Sequence, residues 1–289
     1  MNCNSCPRKC NVDRDVGKGY CTQSNTLKIN KIMLHHYEEP VISGGESDVG
    51  SGAIFFTGCN LRCVYCQNTP ISHSDLGKEY TVDEFVQEMK DLESQGAWNI
   101  NLVTPTHFVD LIIQALDKYK PTIPIVWNSS GYESVEIVEK LKDYVDIYLV
   151  DLKYMNNELA TKYSKAPNYV ESATKSILQM RKNQPRDIIE NGRMKKGVII
   201  RHLILPSHTV DSIRCIDFIA DNLGVDTIVS IMSQYEPRYD AVEFSEINRK
   251  ITPLEYKRVV NHALNRQMNN CYTQDLSSAD SKYTPDFNT

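Results

Sequence analysis

Three cysteines, Cys59, Cys63 and Cys66, fall together in the stretch TGCNLRCVYCQN, and no fourth follows nearby. A thiolate is a soft ligand suited to zinc and to iron–sulfur clusters, and both ordinarily take four protein ligands. Spacings of three and then two residues keep these thiolates on one short irregular loop, able to converge on a single inorganic core. Three thiolates hold three corners of a 4Fe–4S cube and leave its fourth iron without a protein ligand. By the logic that separates open catalytic metal sites from closed structural ones, that iron is open to a small molecule. Two competing readings complete the set from elsewhere: a zinc site finished by His73, or an electron-carrier cluster finished by Cys215 or Cys271.

A second group lies upstream. Cys3, Cys6, Cys10 and Cys21 give Cys-x2-Cys-x3-Cys and then a fourth thiolate, with Gly17 and Gly19 supplying turns. Four soft ligands so close in sequence suffice for a closed zinc site or an auxiliary 4Fe–4S cluster. The small size of the segment favours zinc, as a structural staple, over a cluster that needs shielding. Of the nine cysteines, only Cys215 and Cys271 stand outside these two groups. Each sits in a helical pattern without a partner at ligand spacing and reads as a buried or free thiol. An odd cysteine count without an export signal argues against a disulfide framework.

The net charge is -5 and the basic residues are scattered, so neither nucleic acid nor an anionic lipid surface is an expected partner. No apolar run approaches the roughly 20 residues that span a bilayer, and the start MNCNSCPRKC lacks an apolar stretch after a basic one. A cytoplasmic location is expected. With 289 residues and 41% apolar content, the chain can bury a large core.

The elements that must hold the cysteines follow a repeating pattern. GAIFFTG (52–58), NINLVTP (99–105), IPIVWNS (123–129), VDIYLVD (145–151), GVIIRHLILP (197–206) and DTIVSIM (226–232) are compact, β-branched and flanked by turn formers, which predicts six buried strands. Between them, Thr81 to Gln95 opens with a Thr-x-x-Glu capping box and repeats Val82, Phe85, Val86, Met89 and Leu92 at helical spacing. Similar stripes run through 108–119, 134–144, 169–181 and 210–223, and a last helix opened by Thr252, Pro253 and Glu255 reaches about Gln267. Alternation of this kind buries parallel strands on both faces and selects an α/β architecture, either an open barrel or a doubly wound sheet. In both, ligands gather at the carboxyl ends of the strands. The expected organisation is a cysteine-rich extension over 1–50, a core over 51–240, and a C-terminal helix and tail over 241–289.

The cysteine loop directly follows the first of these strands, with Gly58 turning the backbone into Cys59 and Tyr65 just before the last cysteine. In this the sequence resembles the radical S-adenosylmethionine superfamily. The resemblance implies that the amino and carboxylate groups of S-adenosylmethionine chelate the open iron. One electron from the reduced cluster then cleaves the sulfonium, and the resulting 5'-deoxyadenosyl radical abstracts a hydrogen atom. It implies a partial (β/α)6 TIM-type barrel and a low-potential electron donor of flavodoxin or ferredoxin type. The likeness runs through CNSCPRKCNVDRDVGKGYC, EEPVISGG, GSGAIFFTGCNLRCVYCQN, NINLVTPTHF, WNSSGY, DLKY, IIRHLILP and SQYEPRY. Together these look like the group related to the pyruvate formate-lyase activating enzyme, whose partner is a glycyl radical protein.

Carried over residue by residue, Asp151 and Lys153 in DLK match a strand-end motif that faces S-adenosylmethionine, so Lys153 joins the three cysteines as a catalytic candidate. Arg201 looks like the arginine of the next strand, with His202 pointing to the opposite face; both are candidate cofactor contacts, as is Tyr65. Activating enzymes carry a Gly-Gly-Glu motif after the second strand, and here the place reads NINLVTPTH. Thr104 is the expected replacement contact for the cofactor's amino group and His107 the expected substrate-facing group. Asn128 and Ser129 stand where relatives place an acid, so no cation is expected there, and Ser129 is a further cofactor candidate. No ferredoxin-like insert separates Asn68 from the helix at Thr81. The leading expectation is a radical enzyme acting on a glycyl radical partner; the alternatives are modification of a peptide or small metabolite, and a non-enzymatic iron–sulfur carrier or zinc-binding module.

Overall fold

All six apolar runs form strands, and the reason is visible in their burial: each presents one side to an outer helical layer and the other to an interior lumen. The structure, a computed structural model, describes residues 3–274 together with Pro285 and Phe287. The strands are β1 Leu27–His35, β2 Ser51–Phe56, β3 Lys78–Tyr80, β4 Ile100–Val103, β5 Ile125–Ser129, β6 Ile147–Asp151, β7 Ile188–Glu190, β8 Arg193–Leu203, β9 Ile228–Met232 and β10 Cys271–Thr273. The helices are α1 Pro40–Ser43, α2 Thr69–Ser72, α3 Val82–Ser94, α4 Val109–Lys118, α5 Val135–Lys140, α6 Asn157–Ser164, α7 Tyr169–Asn183, α8 Thr209–Asn222 and α9 Pro253–Asn265.

In the sheet the order is β10-β9-β8-β6-β5-β4-β2-β1-β3, open at both ends. From β2 to β10 every neighbouring pair is parallel, whereas β1 pairs antiparallel with β2 and with β3. This is the partial barrel expected from the alternation, with β10 adding a seventh parallel strand from a segment that the sequence reads as tail. Helices α3 and α9 begin with complete capping boxes, Thr81 with Glu84 and Thr252 with Glu255. A cap of this kind is worth about 1 kcal/mol and fixes where each helix starts.

Alternate strand residues point to opposite faces. Ile54, Phe56, Leu102, Trp127, Tyr148, Val150, Ile200 and Ile231 pack outward against the helices in the main core. Val126, Ile147, Leu149, Ile199 and Ile228 face the lumen, where Val41 and Ile42 of α1 join them. So α1, from the connection between β1 and β2, plugs the barrel from below. Glu39 is its N-cap residue and Pro40 its first residue, where a missing N–H costs nothing. The plug confines the open volume to the carboxyl ends of the strands.

Candidate active site

Above the α1 plug lies a cavity of about 420 Å³, lined on one side by Cys63, Tyr65 and Cys66 and on the other by Glu38, Asn128, Asp151, Lys153 and Arg201. The cysteine loop leaves β2 at Thr57 and Gly58, where φ of +84° suits glycine. Every thiol has a polar partner: the Leu61 N–H reaches Cys59 Sγ at 3.3 Å while that thiol faces Asn60 Oδ1 at 3.9 Å, Ser164 Oγ lies 3.0 Å from Cys63 Sγ, and Ser72 Oγ lies 3.2 Å from Cys66 Sγ. Burial pushes the Cys59 thiol up to about 12, with the neighbouring Cys63 adding to it. Burial also lifts Cys63, to about 11, against the pull of the Lys153 ammonium. Tyr65 is buried and its hydroxyl meets that of Tyr154 at 2.6 Å.

Parallel register sets the facing wall. Asp151 at the end of β6 is the direct neighbour of Arg201 on β8. Arg201 Nε donates to Asp151 Oδ1 at 2.8 Å and Lys153 Nζ to Asp151 Oδ2 at 2.7 Å. The same guanidinium donates to Glu38 Oε2 at 2.9 Å and to Asn128 Oδ1 at 2.6 Å. Glu38 Oε1 accepts in turn from Asn101 at 3.1 Å and Asn128 at 3.0 Å. Burial alone would favour neutral Asp151, yet Arg201 and Lys153 outweigh it and hold the carboxyl below its usual range. Burial likewise works against the Lys153 and Arg201 cations, and Asp151 more than offsets it for both. The wall is therefore a fixed alternation of charges in a half-dry site, where such interactions are stronger than in water.

Glu38 and Glu39 are absent from the sequence reading of the site. Glu39 lines the floor of the cavity, is almost fully buried, and has a carboxyl oxygen without a partner. Burial pushes its pKa up, and Arg201 only partly counters this. The signal was there in EEP, two acids set immediately before a proline and an apolar pair, but nothing local says that the segment enters a barrel.

Cys63, Cys66, Tyr65, Asp151, Lys153 and Arg201 are thus brought to one cavity, while Thr104, His107, Ser129 and His202 lie outside its lining. Strand parity accounts for two of them. Ser129 and His202 each follow a lumen-facing residue and turn outward, His202 placing Nδ1 2.7 Å from the Leu152 carbonyl. At Thr104 the backbone enters the left-handed region, φ +60°, and the turn after Pro105 carries His107 away from the lumen. His107 Nε2 lies 2.8 Å from the Thr57 carbonyl, and burial depresses its pKa to about 3. His73 caps α2, Cys215 is fully buried on α8, and Cys271 lines a separate cavity of about 760 Å³ near the amino ends of β9 and β10. Among the described residues, no three His, Cys, Asp or Glu side chains are set at the spacing of a single metal ion. No helix among them is long and apolar enough to cross a membrane.

A parallel partial barrel with a three-cysteine loop after its first parallel strand and a charged cavity at the strand ends defines a class of α/β barrel whose site is set by that loop. The sequence model of the Radical SAM superfamily matches residues 53–219, and the chain belongs to that superfamily. It is 34% identical over 269 residues to an uncharacterised protein of Methanocaldococcus jannaschii, covering 90% of this chain and 73% of that one. It is 28% identical over 195 residues to a pyruvate formate-lyase-activating enzyme of Staphylococcus aureus, covering 62% and 72%. The structure of Streptococcus suis SuiB bound to S-adenosylmethionine resembles it in fold, with a TM-score of 0.51 at 15% identity over 76% of this chain and 49% of that one. Membership implies a 4Fe–4S cluster and S-adenosylmethionine as cofactors. The residues present fit such a group: three soft thiols on one loop, each with a hydrogen-bond partner, two of them opening onto the cavity.

Proposed function

We propose that the chain abstracts a hydrogen atom from a substrate held between the cysteine loop and the α1 floor. Cys59, Cys63 and Cys66 would hold the cluster, and the wall opposite them would hold S-adenosylmethionine; when bound, the pair supplies a one-electron reduction and a carbon-centred radical. The observation that carries this reading is that two of the three thiols share one cavity with the Asp151–Lys153–Arg201–Glu38 array. Lys153 offers a fixed positive charge to a carboxylate, Asp151 keeps that ammonium in place, and Glu38 is held by three donors so that it accepts without swinging. Tyr65 shields the loop side from water. A low-potential donor of flavodoxin or ferredoxin type supplies the electron.

For the substrate, the activating enzymes among the relatives support a glycyl radical protein as hydrogen donor. A small polar metabolite is a second reading, supported by the closed floor and the unpartnered Glu39 oxygen. Anaerobically reconstituted protein, given a strong reductant and a candidate donor deuterated at the reacting carbon, is expected to form 5'-deoxyadenosine carrying deuterium. Transfer from a glycyl partner selects the first reading and transfer from a metabolite the second. Iron-loaded protein that forms no 5'-deoxyadenosine at all would falsify both and leave the electron carrier.

A further inference from the structure

The densest set of ligating side chains outside the cavity is N-terminal. Cys3, Cys10 and Cys21 all lie within electrostatic reach of Cys6, and Cys6 and Cys21 are buried. Their loop is built, with Cys3 N–H donating to Val12 O at 2.8 Å, Asn11 N–H to Cys3 O at 3.1 Å and Lys9 N–H to Cys6 O at 3.1 Å. Lys9, Asn11 and Thr22 take left-handed backbone angles of +44°, +53° and +65° to make its turns. A Cβ added at Gly19 would lie 3.5 Å from Cys21 Sγ and 3.9 Å from Cys10 Sγ, so both sulfurs crowd the open side of that glycine. Tyr20 N–H donates to Cys10 Sγ at 3.4 Å. A segment this short buries too little apolar surface to hold such strained turns unaided.

This loop rests directly on the other cysteine loop. Arg62, the residue before Cys63, donates through one nitrogen to the carbonyls of Cys59 and Leu61, each at 2.9 Å, and of Ser72 at 3.3 Å. Its other nitrogen reaches the Tyr20 carbonyl at 2.7 Å, and its guanidinium stands 5.0 Å from the Tyr20 ring. Arg8 stacks on Tyr20 at 3.8 Å, reaches Tyr132 at 5.4 Å, and donates to the Asn60 carbonyl at 2.9 Å. A Cβ on Gly58 would strike the Cys21 carbonyl. The two cysteine groups share one hydrogen-bonded seam.

We propose that Cys3, Cys6, Cys10 and Cys21 bind a zinc ion of their own, and that this ion braces the seam on which the Cys59–Cys66 loop is set. The four sulfurs stand wider than a single ion needs, so loading draws them inward by side-chain rotation on a backbone already fixed. Each thiol gives its proton to solvent as it ligates, zinc stays divalent, and no electron moves. Arg62 is a positioning residue that transmits the brace. The binding half stands without the cluster; the bracing half rests on the proposed function.

Two experiments separate them. A Cys59→Ser/Cys63→Ser/Cys66→Ser variant is titrated anaerobically with zinc, and with cobalt(II) for its thiolate absorption. About one ion per chain is expected, with affinity lost about 100-fold or more when Cys6→Ser and Cys21→Ser are added. No uptake, or uptake indifferent to those changes, overturns the site; uptake of iron and sulfide in place of zinc overturns the choice of ion. The full chain with reconstituted cluster is then stripped of zinc by a chelator. Iron release is expected to quicken about tenfold, to recover when zinc is restored, and to quicken likewise in Arg62→Lys without loss of zinc uptake. Far-UV dichroism checks that the barrel persists. Iron release at the unstripped rate overturns the brace.

Discussion

Glu133 is a buried carboxyl on the helical side of β5, where Oε1 accepts from Thr106 at 2.8 Å and from Trp127 Nε1 at 3.1 Å while Oε2 has no partner. Burial lifts its pKa from 4.5 to about 7. Below pH 4.5 both folded and unfolded chains hold the proton and no cost arises. Between 4.5 and 7 only the folded chain keeps it, so stability falls as pH rises, and above 7 the full cost is present. Glu133→Gln keeps the acceptor and removes the acid. It is expected to stabilise the protein on the order of 1–3 kcal/mol at pH 8 and negligibly at pH 4, read from urea midpoints at the two pH values. Asp151→Asn acts the other way: it leaves Lys153 and Arg201 in a partly dry wall without their shared anion. A loss of roughly 2–4 kcal/mol in denaturant unfolding is expected, with weaker S-adenosylmethionine binding by calorimetry.

At the scale of elements, the helix that most shapes the cavity is one of the two shortest α-helices among the described residues. Ile42 of α1 is fully buried against Ile147, Leu149 and Ile199, so Ile42→Ala is expected to cost about 2–5 kcal/mol. The same change deepens the cavity; its unfolding midpoint drops while far-UV dichroism stays unchanged if α1 is only a plug. Six strands and the capped helices α3 and α9 were legible because they carry period and cap signals over many residues. Four residues of α1 hold no period, and three-residue β10 is too short to show alternation, so neither could be read. The site divides in the same way. Asp151, Lys153 and Arg201 sit in strand-end motifs with recognisable neighbours, whereas Glu38 reaches Arg201 across 163 positions of sequence, a contact that only the assembled barrel creates. Ser129 lies one step of strand parity off the lumen, and His202 points to the face opposite Arg201, as its place in the strand implies.

For the molecule as a whole, residues 3–43 meet the barrel twice, at the Cys59–Cys66 loop through Arg8 and Tyr20 and inside the lumen through α1. A ligand that binds only the folded, cluster-loaded chain stabilises it by about 2.7 kcal/mol at a hundredfold excess over its Kd. S-adenosylmethionine is therefore expected to raise the Tm of reconstituted protein by several degrees and to leave the Cys59→Ser/Cys63→Ser/Cys66→Ser variant unmoved, by differential scanning calorimetry under argon. Synthesis proceeds from the amino end, so the four upstream thiols emerge while Arg62, Tyr132 and Lys165, which later cover their loop, are still untranslated. At ordinary ribosomal speeds the last of the three, Lys165, follows Cys21 by about seven to thirty seconds. For that time the nascent segment is open to oxidants and to the ions of its surroundings on every side, until the barrel made after it covers one face of the loop.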